Sequence, residues 1–260
     1  MRDLTRAFFA AHPDLSLAAL GAADNARALD LSPFGQPARY LAAESNRALI
    51  ERYRAVNEIA FAPAFVLPGW VLADLFLLPG AIGLLLGPAK RLPEAKRAHL
   101  GLLPEDETIL ASYFAAASLT PGLFAAASLF CHAPGLGAGA WIKALTLRML
   151  RAERLRGVVQ WDNTSVRTHA RLGPLELIGP APAGHERAAT SFVYELDLRD
   201  EGRLRAAMEK KLTLPVTRRI DPQDREAQRA LLGRVGRGET RARIVPPGLD
   251  ETGALLIQEA

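Results

Sequence analysis

The chain has 260 residues, 49% hydrophobic and 23% charged, the balance of a globular protein long enough to bury a substantial core. Its net charge of +4, at a sequence pI of about 9.5, is too slight an excess to call for a nucleic-acid partner. A single cysteine, Cys131, excludes an internal disulfide framework and any multi-cysteine metal centre; no metal is expected, and a reducing, cytoplasmic setting is.

The opening residues, MRDLTRAFFAAHPDL, hold too short an apolar run for a secretory signal and predict an amphipathic helix over residues 2–11. Residues 13–37 are rich in Ala, Leu and turn formers and show no readable order. From Pro37 to about Ala60, Tyr40, Leu41, Ala48, Leu49, Tyr53 and Val56 recur at helical spacing, which predicts one helix. Residues 59–89 then carry a single formal charge, Asp74, and residues 109–142 carry none. Both stretches exceed the roughly 20 apolar residues that cross a bilayer. Prolines at 63, 68, 79 and 88 and glycines at 69, 80, 83 and 87 cut the first into pieces of strand length. Pro121-Gly122 cuts the second. Buried strands also read as unbroken apolar runs, so two hairpins are expected and no membrane association: 70–78 with 81–86, and 108–119 with 123–132. Residues 90–103 between them are charged and weakly helical.

The second strand of the later pair leads into a turn with Gly135, Gly137 and Gly139, and the pattern then predicts a helix to about Arg156. Glycines just before a helix start leave backbone N–H groups uncovered at the positive end of the helix dipole, an arrangement suited to phosphate or pyrophosphate. A short strand (158–161) and a second helix, capped by Asp162 or Asn163, follow. Residues 175–178 and 190–198 read as strands. Beyond Arg199 the composition predicts Arg-rich helices at 202–212 and 222–233, with 244–260 weakly structured. Acidic residues interrupt the run Arg218, Arg219, Arg225, Arg229, Arg234, Arg237, Arg241 and Arg243, which reads as a solvated or interface surface and not a polyanion patch.

This order of elements, with a glycine turn opening the central helix, resembles the GNAT superfamily of N-acyltransferases over about residues 70–198, most sharply over 129–173. Gly137-Ala138-Gly139 fits the Gln/Arg-x-x-Gly-x-Gly/Ala loop that holds the acyl-CoA pyrophosphate, with Gly135-Leu136-Gly137 as an alternative register; Pro134 or His132 stands in place of the Arg or Gln. The segment from Asn163 to Pro174 resembles the family's Asn-led helix ending Tyr-x-Lys-x-Gly-Phe, with Asn163, Ser165, Arg171, Leu172 and Gly173 in place and Pro174 replacing the Phe.

The resemblance implies an α+β, GNAT-like fold: a mixed, mostly antiparallel sheet flanked by helices. It implies a domain over 1–198 (N-terminal helices 1–60, core 70–198) and an Arg-rich helical extension over 199–260. It also implies transfer of an acyl group, most simply acetyl, from acetyl-CoA or another acyl-CoA to an amine by direct attack. The amine would be a small molecule or peptide; a homodimer is compatible. Donor contacts would come from Ser128, Cys131, Gly135, Leu136, Gly137, Ala138, Gly139, Ala140, Asn163 and Ser165. His169 stands where many members carry a tyrosine that protonates the departing thiolate. Asp74, Glu107 and His132 are candidates for the base, and Arg39, Tyr40, Glu44, Arg47 and Tyr53 for acceptor contacts by position alone. Two rival readings stay open. Gly135 to Ala140 also fits Gly-x-Gly-x-x-Gly/Ala, with Asp162 as the ribose acid, as in a Rossmann-type dinucleotide or S-adenosylmethionine enzyme. The missing Arg/Gln and aromatic would instead suit a non-catalytic CoA-binding module.

Overall fold

The structure is a computed structural model that describes residues 1–61, 80–118, 120–183 and 188–260. The chain forms two compact units, residues 1–122 with 127–152 and residues 123–126 with 153–260.

The first unit contains helix α1 (Arg2–Ala11), strands β1 (Ser16–Gly21) and β2 (Ala38–Ala42), helix α2 (Arg47–Ala60), strand β3 (Gly80–Pro88), the short helix α3 (Glu94–His99), strand β4 (Glu107–Ala117), the later part of β5 (Leu123–Cys131) and helix α4 (Ala138–Met149). Its strands lie in the order β2-β1-β3-β4-β5. β1 runs parallel to β2 and antiparallel to β3, and β3 antiparallel to β4. Strands β3 and β4 are buried almost throughout because a helix covers each face, which is why their sequences are continuously apolar. On one side Tyr53 and Val56 of α2 join Leu20, Ile82, Leu84, Ile109 and Phe130 in a core. On the other, α4 approaches so closely that a β-carbon on Gly83 would lie 1.7 Å from Thr146 Oγ1. Glycines read as breaks in the apolar run therefore sit inside one nine-residue strand.

Three expectations are corrected here. Residues 37–60 are not one helix: 38–42 pair with β1, a 3-10 turn follows, and the helix starts at Arg47. Tyr40 and Leu41 matched the helical period, but pairing with β1 decides their state. The 13–37 stretch, which showed no readable order, contains β1, whose Leu17 to Leu20 are buried between two partner strands despite alanine's weak strand preference. Strand β5 is not a fully buried run. Leu123 and Phe130 are buried, whereas Ala125, Ala127 and Cys131 are exposed. Of the expected first hairpin, residues 70–78 lie outside the described residues.

In the second unit the start of β5 pairs in parallel with β6 (Arg154–Gln160) through Leu123–Arg154, Phe124–Leu155 and Ala125–Arg156. Helix α5 (Ser165–Ala170), strands β7 (Leu175–Pro180) and β8 (Ser191–Asp197), helix α6 (Glu201–Met208), strand β9 (Arg218–Ile220), helix α7 (Arg225–Gly236) and strands β10 (Ala242–Leu249) and β11 (Leu255–Glu259) follow. The order is β5-β6-β8-β7-β10-β11-β9, antiparallel apart from the first pair. Asp200 and Asp224 cap α6 and α7 by accepting the amides of Arg203 and Ala227. Tyr194 of β8 lies over its cross-strand partner Gly157, whose missing β-carbon would meet the phenol ring at 2.6 Å.

The central helix thus ends at Met149 and not Arg156; Arg151 adopts a positive φ of 52° and the chain turns into β6. The C-terminal segment is also less helical than expected. Its two helices are present, but residues 244–260 form β10 and β11, with β10 hydrogen-bonded to β7. Pro246, Pro247 and Gly248 hide the strand pattern, and the pairing shifts register across them. Both units are α+β, with mixed, mostly antiparallel sheets flanked by helices, as the resemblance implied. Among the described residues no helix is long and apolar enough to cross a membrane.

Candidate functional site

In the first unit the chain leaves β5 at Cys131 and reaches α4 through His132-Ala133-Pro134-Gly135-Leu136-Gly137. Gly135 and Gly137 have φ of +79° and +62°, and no atom lies within 4 Å of a β-carbon built on either. Gly137 is the left-handed N-cap of α4, and no side chain caps the helix. Its carbonyl accepts from the amides of Ala140 at 3.2 Å and Trp141 at 3.4 Å. The amides of Gly135, Leu136, Gly137 and Ala138 donate to no acceptor among the described residues. Four unused N–H groups therefore surround an open, solvent-facing loop at the positive end of a twelve-residue helix. The next amide, Gly139 N–H, lies against the Cys131 thiol, whose sulfur donates to Ala133 O at 3.4 Å. Desolvation outweighs these contacts and raises the thiol above its ordinary range.

His132, next in sequence, turns inward. Nε2 donates to Val56 O at 3.0 Å, because a carbonyl can only accept, and Nδ1 accepts from Lys96 Nζ at 2.7 Å. Burial and the neighbouring ammonium hold this imidazole below its ordinary titration range, with the Val56 bond opposing them. Beside it, Tyr53 Oη approaches Ser112 and Ser128 deep in the core, without a hydrogen bond of normal length to either. Burial pushes the phenol up to about 12. Lys143 of α4 is wholly buried over the Tyr113 ring at 5.6 Å, and desolvation holds its amine well below the usual lysine range. Lys96, Ser112 and Lys143 were not singled out from sequence, although Lys143, a charge in an otherwise apolar helix turn, was visible there.

The remaining candidates are committed to local structure or lie elsewhere. Glu107 pairs with Arg39 at 3.0 Å, Glu44 accepts from Ala23 N at 3.2 Å, Arg47 pairs with Glu51 at 2.9 Å, and the Tyr40 hydroxyl donates to Ala22 O. Asn163, Ser165 and His169 belong to the second unit. Asn163 Oδ1 accepts from Ser165 N at 2.8 Å in the turn before α5, but the N-cap is Thr164 and not Asp162 or Asn163, and no side chain caps the helix. His169 is 7% exposed, with its ring centroid 5.4 Å from that of Tyr194. Asp74 lies outside the described residues. No group of His, Cys, Asp or Glu among the described residues is arranged to hold a metal ion. Of the C-terminal arginines, Arg218 and Arg234 pair with Glu259, Arg219 with Asp250, and Arg237 with Glu239.

No family model matches the chain, and no curated relative does. Solved structures similar to it are acetyltransferases. One, described as an acetyltransferase of Acinetobacter baylyi ADP1, is 15% identical over 60% of this chain and 89% of its own, at a TM-score of 0.40. Ribosomal-protein-alanine N-acetyltransferase of Brucella melitensis is 13% identical over 62% of this chain and 98% of its own, at 0.38. A Salmonella typhimurium protein solved with its cofactor acetyl-CoA is 14% identical over 69% and 97%, also at 0.38. Overlaps this slight leave the fold resting on the chain's own strand order and the site on its own loop.

Proposed function

We propose that the protein is an acyl-CoA-dependent N-acyltransferase, with the amides of Gly135 to Ala138 and the α4 dipole gripping the donor's diphosphate. The observation that carries this reading is the set of four amides without an acceptor among the described residues, in a loop open to solvent. The donor's pantetheine arm would pass Ala127 toward Cys131, with Ser128 behind it. An amine nitrogen attacks the thioester carbonyl carbon, a C–N bond forms, the C–S bond breaks, the amine proton passes to a base and the thiolate takes a proton. Orientation supplies most of the rate in such a transfer. His169 is carried forward as the proton donor implied by the resemblance. His132 is a poorer base than its position in sequence implied, because both ring nitrogens are engaged. The acceptor is proposed to be a small-molecule or peptide amine, and the setting cytoplasmic.

The dinucleotide reading is not favoured, since a doubly wound sheet requires successive parallel strands, whereas β1–β3, β3–β4, β6–β8, β7–β8, β7–β10, β10–β11 and β9–β11 are antiparallel. Calorimetry with acetyl-CoA, NAD, NADP and S-adenosylmethionine tests the choice. Binding of acetyl-CoA alone is expected; binding of any of the others in its place overturns the proposal. CoA release with a panel of amines then separates an enzyme from a binding module.

A further inference from the structure

We propose that the second unit carries a separate site for a small monocarboxylic acid with a compact apolar body, independent of the donor loop. A cavity of about 280 Å³ lies where the ends of β6 and β7 and the start of β8 meet α7. That volume is just below the range of pockets for drug-sized ligands. Its walls are Trp161, Pro180, Leu232 and the backbone of Gly233. Trp161 is held in place by its amide, which donates to Thr190 O, and by the Phe192 ring at a centroid distance of 4.5 Å. Positions 228, 229, 232 and 233 share one side of α7, and a β-carbon at Gly233 would meet only the Arg237 guanidinium, at 3.3 Å.

Two polar groups give the cavity its chemistry. Ser191 lines it, is 2% exposed, and its hydroxyl has no hydrogen-bond partner among the described residues. Arg229 lines it and is exposed, and it makes no ion pair or hydrogen bond among the described residues, whereas Arg218, Arg219, Arg234 and Arg237 of the same segment are all paired. Gln228 is already committed: its amide nitrogen donates to Pro222 O at 2.7 Å and its oxygen accepts from Arg225 at 3.0 Å. An unpaired guanidinium beside an apolar cavity containing an indole and an unsatisfied hydroxyl fits a carboxylate head on an aromatic or short aliphatic body.

The test titrates the full chain with benzoate and hexanoate, and with benzyl alcohol and hexanol as uncharged counterparts, by calorimetry and tryptophan fluorescence. Saturable binding of at least one acid is expected, with its alcohol weaker by about tenfold or more, the worth of one charge-assisted bond. Arg229→Gln should weaken the acid by a similar factor. Gly233→Leu, which fills the cavity and raises helix preference, should abolish binding without lowering Tm. The proposal is overturned if neither acid binds saturably, if the alcohols bind as tightly as the acids, or if both variants bind as the parent does.

Discussion

Lys96 Nζ stands 2.7 Å from His132 Nδ1, so an ammonium occupies the place where a second proton on the imidazole would have to go. The ring is therefore kept neutral in the folded chain, mainly by burial and further by this cation, and its folded pKa lies below the unfolded value near 6.5. A group lowered in this way contributes stability that is complete above the unfolded pKa and is lost as pH falls through the folded one. Each unit of lowering is worth about 1.4 kcal/mol. Tm should thus decline as pH is taken from 7.5 toward 5, and His132→Gln should flatten that decline. A parallel decline in parent and variant would remove the assignment.

Gly135→Asp places a carboxylate in open space beside the unused amides. Aspartate tolerates the left-handed conformation better than most residues, so the expected loss of stability is about 1 kcal/mol. Donor affinity should fall at least tenfold, read by calorimetry with acetyl-CoA. Equal affinity in variant and parent would place the diphosphate elsewhere.

His169→Ala should cost about 1–2 kcal/mol, because the ring packs against Tyr194. Turnover per folded molecule should fall as well, with His169→Gln recovering stability more than turnover. Unchanged turnover in both variants would reduce His169 to a packing residue.

Gly83→Ala should destabilise by about 1–3 kcal/mol in urea unfolding, since the added carbon collides with Thr146. Gly179→Ala in β7 meets no atom within 4 Å, and a change within about 0.5 kcal/mol is expected. The pair distinguishes a glycine required for helix–sheet contact from one that is replaceable.

The sequence was most readable where one local rule acted alone. The Gly135–Gly137 turn was legible because positive φ and an uncapped helix start both favour glycine, and α1 was legible from its apolar spacing. Strand β2 was not, because Tyr40 and Leu41 satisfy a helical period that only pairing with β1 overrules. Strand β10 was hidden by Pro246 and Pro247. The engagement of His132 could not be foreseen either: Val56 and Lys96 are 76 and 36 residues away along the chain. Proximity in sequence to the glycine turn made His132 look available, whereas its side chain points into the core.

Cys131 is the chain's sole thiol, it is exposed, and it touches the amide that follows the unused ones. It therefore offers a native attachment point for a spectroscopic label at the mouth of the loop, with no other sulfhydryl to compete. Slower alkylation there on adding a nucleotide would report occupancy directly, before any acceptor amine has been identified.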